Sequence, residues 1–249
     1  MHLPAIHAYL RASVSGSRDT EQIGPFLASF SRRSSNPFLS YAIPDDGATP
    51  TIDDVDALVG LYRRRDRRPR LEYIPVLAPA VEQALRSGGF VPEGRLVLME
   101  PLHGVLAPAL PDGIELVRPA SPEELRGART AQGLAYGEAG DPSDEDVDSL
   151  ARTLRSGGGA ILARTHDAQP VGAGECTPVI DGVSEITSIG VVEDWRRRGI
   201  AAAICAALSD LVRELGATSP FLMANEAESR VYARVGFMSA GEMLHISRD

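Results

Sequence analysis

The clearest periodicity in the chain lies between residues 199 and 215. There Ile200, Ile204, Leu208, Leu211, Val212 and Leu215 recur at three- and four-residue spacing, and Gly216 follows. Such spacing puts the apolar side chains on one helical face, and the glycine is a stop signal. Before it, residues 160–164, 171–179 and 185–192 read as strands joined by turn residues at Asp167 and Asp181-Gly182. Earlier still, residues 114–117 predict a strand, and Ser121 with Glu124 three residues on forms a capping box that opens a helix. A second amphipathic stretch, 144–154, is closed by three glycines at 157–159. After the long helix come a strand at 220–223, a helix at 226–235 and a last strand at 241–247. The order β-α-α-β-β-β-α-β-α-β predicts an α/β domain with a mixed sheet over residues 114–249.

A boundary is expected at 106–113, where Pro108, Pro111 and Gly113 separate two patterned regions. The chain then divides into a first domain at 1–107, a linker at 108–113 and a second domain at 114–249. In the first domain, residues 71–74 read as a strand and 78–87 as a helix. Gly89-Phe90 and a strand at 95–99 follow. This repeats the order from Phe221 to Ser247, with Leu85 standing where Tyr232 stands and Ala78 where Asn225 stands.

Composition narrows the function classes. The chain has 249 residues, 43% of them hydrophobic, enough to fill two modest cores. The first eighteen residues contain no uninterrupted apolar segment, and no run approaches eighteen apolar residues, so a cytoplasmic protein with no membrane partner is expected. Cys176 and Cys205 show no CxxC spacing and read as free buried thiols, with no metal site. All 25 basic residues are arginine, and the net charge of -9 falls wholly in residues 109–249. That acidity argues against a nucleic-acid partner. The run RRRDRRPR at 63–70 reads as a solvated helix end, with a phosphate-backbone patch as the alternative.

The chemistry concentrates where one strand enters the long helix. Ile189, Gly190 and Val191 end the strand, and Glu193-Asp194-Trp195 turn the chain. Arg196, Arg197, Arg198, Gly199, Ile200, Ala201 and Ala202 then begin the helix. A helix start carries unpartnered N–H groups and a partial positive charge, which suit an anion. Gly199 and Ala201 allow close backbone approach, and the arginines add donors. The residues alone point to a diphosphate-bearing ligand; no GK[ST] or GxGxxG accompanies them.

This Arg-x-x-Gly-x-Ala pattern, leaving a strand and entering an alanine-rich helix, resembles the acetyl-CoA pyrophosphate loop of the GNAT (Gcn5-related N-acetyltransferase) superfamily. A second resemblance spans residues 225–237. There Asn225 ends a strand, Tyr232 follows seven residues later, and Gly236-Phe237 closes the helix. The likeness covers residues 114–249, and the first half resembles a degenerate repeat without phosphate loop or catalytic tyrosine, as in tandem members of the superfamily. The resemblance implies an N-acyltransferase using acetyl-CoA as co-substrate. Asn225 would join 189–191 and 196–202 as cofactor-binding residues, and Tyr232 would be the general acid.

It further implies direct attack by an amine on the thioester, helped by a backbone N–H near Val191. The general base is expected at Glu185, with Glu175 second; His166 and His245 lie near strand ends and read as surface residues. The acceptor would be a small-molecule amine or a peptide, and the protein a monomer or homodimer. Six acids within 138–148 (Glu138, Asp141, Asp144, Glu145, Asp146 and Asp148) suggest recruitment of a cationic acceptor. Two alternatives stay open. One is a non-catalytic acyl-CoA-binding module, and the other a longer acyl-CoA or a carrier-protein thioester as donor. Because little chain follows Gly236-Phe237, the strand at 95–99 is expected to cover the edge of the second sheet.

Overall fold

The computed structural model describes residues 3–32, 36–102, 108–138 and 140–249, with Pro37 described in its backbone alone. In chain order the elements are α1 (Leu3–Ser17), β1 (Asp19–Ile23), β2 (Phe26–Phe30), β3 (Ala42–Pro44), α2 (Ile52–Arg64), β4 (Arg70–Tyr73), α3 (Val81–Ser87) and β5 (Val91–Pro101). There follow β6 (Ile114–Val117), α4 (Pro122–Tyr136), α5 (Asp144–Arg155), β7 (Gly159–Thr165), β8 (Pro170–Cys176) and β9 (Val183–Val191). The chain finishes with α6 (Ile200–Glu214), β10 (Ser219–Ala224), α7 (Glu226–Arg234) and β11 (Phe237–Ser247). Among the described residues no helix is long and apolar enough to cross a membrane.

Two compact units emerge, Met1–Leu98 with Ala240–Asp249, and Met99–Ser239. The last ten residues therefore group with the first unit, where the sequence places them in the second. Leu106 and Ala107, the start of the expected boundary, lie outside the described residues.

The first unit is built on the sheet order β1-β2-β3-β4-β11. β11 runs antiparallel to β4, pairing Leu244 with Tyr73 and Ser247 with Arg70. Thr51 caps α2 through a reciprocal bond with Asp54, and Val55, Leu58, Val59, Leu61 and Tyr62 form its buried face. That face joins Leu71, Tyr73, Leu85 and Ile246 in one core. Arg70 is fully buried, and its guanidinium is held by Glu72, by Glu93 at 2.9 Å and by His245 Nδ1 at 3.2 Å. A cation removed from water persists only with such partners. His245 thus belongs to this buried cluster and is not a surface histidine.

The second unit carries the order β10-β9-β8-β7-β6. The strands β6 to β9 are antiparallel neighbours, and β10 lies parallel to β9. The capping boxes at Ser121–Glu124 and Ser143–Asp146 start α4 and α5. α6 begins and ends within a residue of expectation, and its buried residues include Ile200, Ile204, Leu208, Leu211 and Val212. Leu215 falls outside that face and is exposed. β8 stops at Cys176, earlier than expected, because residues 177–182 turn back into β9.

α6 crosses β8 where the strand lacks side chains. A Cβ on Gly174 would lie 2.9 Å from Ile189 Cγ1, Ile204 Cγ2 and Leu208 Cδ1. Gly174→Ala should therefore overpack this contact and cost about 1–3 kcal/mol. Ile204→Ala alone should cost about 2–5 kcal/mol by leaving a cavity. Because the new methyl fills part of the space left, the double variant should lose less than the sum of the two. Urea unfolding of the three variants checks this, and strict additivity would show that the two side chains do not share the space.

Candidate functional site

The site begins with a defect in β9. Its pairing with β8 shifts between Ala173 and Glu175, and Ser188 adopts φ 56°, a left-handed conformation that costs a serine energy. Polar side chains hold it there. Gln132 Nε2 donates to Ser188 O at 3.0 Å, and Gln132 Oε1 accepts from Arg129 Nη1 at 2.8 Å. Arg129 also donates to Glu175 Oε1 at 3.0 Å and to Asp146 O at 3.1 Å. Gln132 and Glu175 are both buried. α4 presses directly on the strand beyond, since a Cβ on Gly190 would sit 2.7 Å from Ala135 Cβ.

β10 follows β9 only from Ser219–Val183 to Leu222–Ile186. Past that register, Thr187, Gly190 and Val191 pair with β8 while Ser188 and Ile189 fall in the register shift, and Ile189, Gly190 and Val191 line a cavity. Tyr136 reaches this segment, its hydroxyl donating to Ile189 O at 3.4 Å.

The strand then turns through a short 3-10 segment, Glu193–Trp195, into α6. Arg197 has φ 61° and Gly199 φ 84°, so the chain twice enters the left-handed region before the helix starts. Gly199 is the N-cap of α6 and gives its N–H groups no side-chain acceptor. The first-turn donors of a long helix are thereby presented outward, as an anion requires. The three arginines differ. Arg196 bonds Val191 O at 3.0 Å and Ala135 O at 2.8 Å, tying strand, helix and loop together. Arg198 bonds Asp194 O and lies over the Trp195 ring at 4.8 Å. Arg197 has no carboxylate partner among the described residues. A cavity of 680 Å³ opens here, lined by Trp195, Arg197, Gly199, Ala201 and Arg234 among others.

Three cavities lie side by side, each sharing wall residues with the next. The second, of 330 Å³, is lined by Tyr136, Ile189, Gly190, Glu228 and Tyr232, and shares Val191, Arg196, Ala201 and Val231 with the first. The third, of 260 Å³, is lined by Arg129, Gln132, Glu138, Asp146 and Ser188, and shares Tyr136 with the second. Burial, then the nearby Cys205, Glu228 and Tyr136, push the Tyr232 phenol well above its ordinary value, so it keeps its proton.

The structure therefore brings 189–191, the loop 196–202 and Tyr232 to one trough. Asn225 is the N-cap of α7, its Oδ1 accepting from Ala227 and Glu228 N–H groups. Glu185 lines none of the three cavities and lies four residues before Ile189, about 13 Å along the strand. Glu175 is engaged by Arg129, and His166 is exposed near the end of β7. Of the acidic stretch, Glu138 and Asp146 line the third cavity, while Asp144 and Glu145 pair with Arg126 and Arg152. Tyr136, Arg129 and Gln132 were not singled out from sequence. Their spacing along α4 offered a helical face, but nothing local tied that face to residue 188.

Residues 127–237 match the acetyltransferase (GNAT) family profile. No curated protein sequence matches the chain. Among solved structures, a GCN5-related N-acetyltransferase from Kribbella flavida is similar at TM-score 0.82 and 24% identity, covering 99% of this chain and 95% of that one. Another from Sphaerobacter thermophilus is similar at 0.67 and 19%, covering 90% and 76%. A tandem GNAT protein from the clavulanic acid biosynthesis pathway is similar at 0.59 and 16%, covering 89% and 77%. At these identities the likeness is one of fold.

If the Arg129–Glu175 pair holds the strand defect, Glu175→Gln should destabilise the protein by roughly 1–3 kcal/mol, since it leaves a half-buried guanidinium short of its charge partner. Hydrogen exchange at residues 188–190 should also quicken. Unchanged exchange at those amides would show that the pair does not hold the bulge.

Proposed function

We propose that this chain, whose residues 127–237 match the acetyltransferase (GNAT) family profile, is an acetyl-CoA-dependent N-acyltransferase of that family acting on a small-molecule or peptide amine. The observation that carries this reading is the row of three adjacent cavities, with a helix start suited to an anion at one end and Tyr232 in the middle. The donor's diphosphate lies against the first turn of α6 and Arg197. Its thioester lies beside Ile189 and Gly190, and the acceptor amine enters from the cavity of Gln132 and Glu138.

An amine with an ordinary pKa of about 10.4 is almost wholly protonated at pH 7, a cost of about 4.6 kcal/mol unless the site relieves it. Glu138 lines the acceptor cavity and has no ion-pair partner among the described residues, and we assign it to receive that proton through water. Glu185, the base expected from sequence, lines no part of the trough. The amine nitrogen then bonds to the thioester carbon, and a backbone N–H of the cavity-lining end of β9 donates to the carbonyl oxygen as charge builds there. When the C–S bond breaks, Tyr232 donates its proton to the departing sulfur, and the second proton lost by the nitrogen returns through water to the phenolate. The products are the amide, the free thiol and the one proton that Glu138 releases to solvent, so atoms and charge balance.

Gly199→Glu puts a carboxylate where the diphosphate is expected and a side chain at φ 84°. It should abolish coenzyme A binding by calorimetry; unchanged affinity would overturn the loop assignment.

Tyr232→Phe should lower kcat by about 10–10³-fold while leaving coenzyme A affinity within a factor of about two. Measurable coenzyme A binding without any thiol release by the parent protein, across a panel of amines, would instead favour a binding module.

A further inference from the structure

We propose that the first unit holds a second anion site, at the end of α2, for a small phosphate-bearing ligand. The backbone builds it. α2 closes at Arg65, Asp66 turns left-handed at φ 52°, and Arg67 N–H returns to Tyr62 O at 2.9 Å. Arg248 N–H bonds Pro69 O at 3.0 Å, which brings the end of β11 alongside. The result is a cavity of 340 Å³ lined by Arg63, Arg67, Arg68 and Arg248, with Asp66 and Asp249.

Pairing separates these arginines from the rest of the protein. With 34 acids against 25 arginines, most arginines should find a carboxylate, and most described ones do. Arg68 is among them, bridged to Asp249 at 2.8 Å. Arg63, Arg67 and Arg248 have no carboxylate partner among the described residues. Apart from Arg18, Arg64 and Arg155, the other arginines without a carboxylate partner among the described residues are Arg196, Arg197 and Arg198 in the loop before α6 and Arg234 of α7, which lines the same cavity as Arg196 and Arg197. Unpaired guanidiniums thus gather at two cavities. In this one the Nε–H of Arg67 is also buried without an acceptor, a donor left unmet.

The sum of charges decides the ligand's sign. The C-terminal pole of α2 contributes roughly half a negative charge, and Asp66 one more. Asp249 is offset by Arg68, and Arg67 spends one Nη on Asp66 O at 3.0 Å, yet the three positive charges of Arg63, Arg67 and Arg248, none with a carboxylate partner among the described residues, exceed what remains. Guanidinium forks match phosphate oxygens in pairs, so two or three around one cavity suit a doubly charged phosphate group. A long polyanion would meet the repulsion of a chain with net charge -9, which favours a small ligand over nucleic acid.

Inorganic pyrophosphate is the probe, titrated by calorimetry into the full chain carrying Gly199→Glu so that the α6 loop is blocked. Binding should persist in that protein and weaken about tenfold or more on adding Arg63→Gln and Arg248→Gln, the loss of one to two charge-assisted bonds. Thermal unfolding verifies that each variant is folded, and Arg67→Gln supplies a second route to the same loss. No binding to the Gly199→Glu protein, or equal binding after the arginine changes, overturns the site. Tighter binding of a single-stranded oligonucleotide than of pyrophosphate, lost with the same arginines, overturns the small-ligand assignment. None of these outcomes depends on acyl transfer.

Discussion

Gln132's hold on the carbonyl of Ser188 is the constraint on which the candidate site depends. A β-strand in register offers its N–H and C=O groups to both neighbours and leaves none for a ligand. Here β9 follows β10 only as far as Ile186, and just beyond it Ser188 breaks the register with β8. A left-handed serine costs of order 1–3 kcal/mol and persists only where its surroundings insist on it. Gln132, fixed by Arg129, which Glu175 fixes in turn, supplies that insistence. The same helix seals the strand at Gly190 and, through Arg196 on Ala135 O, anchors the loop that starts α6. One face of α4 therefore sets both ends of the trough.

This arrangement explains the division between what the sequence disclosed and what it hid. The capping box of α4 is formed by groups within three residues, so spacing alone carries it. The amphipathic face of α6 is equally local in origin. The Arg129–Glu175 pair joins residues 46 apart, and Gln132 reaches a carbonyl 56 residues away. No periodicity encodes such a bond. Glu185 looked well placed on the strand but lies on its portion paired with β10, before Ser188, whereas Glu138 was legible only as one of six clustered acids.

The first seventy residues were illegible for a different reason. β1 is mostly exposed and β3 spans three residues, too short to show alternation. α1 mixes His7 and Tyr9 into its buried face, which blurs the helical pattern. β5 is eleven residues long, but only Leu98 and Met99 are buried outright, so its apolar centre alone stood out. These elements owe their state to tertiary pairing more than to their own composition.

The comparison between Leu85 and Tyr232 shows how one supersecondary pattern serves two ends. Each stands on a short helix that follows a strand and precedes another strand. Leu85 is fully buried and packs with Val55, Leu58 and Tyr73, so its helix spends that face on the core. α7 has no fully buried residue, and Tyr232 lines a cavity with its hydroxyl environment dry enough to raise the phenol. A leucine contributes burial free energy of about 1.5–3 kcal/mol, which a cavity-lining tyrosine forgoes in part. The helix to which our proposal assigns chemistry is thus the one with the fewer buried contacts. Its cap, with Asn225 and Glu228 closing the first turn reciprocally, supplies locally some of what packing does not.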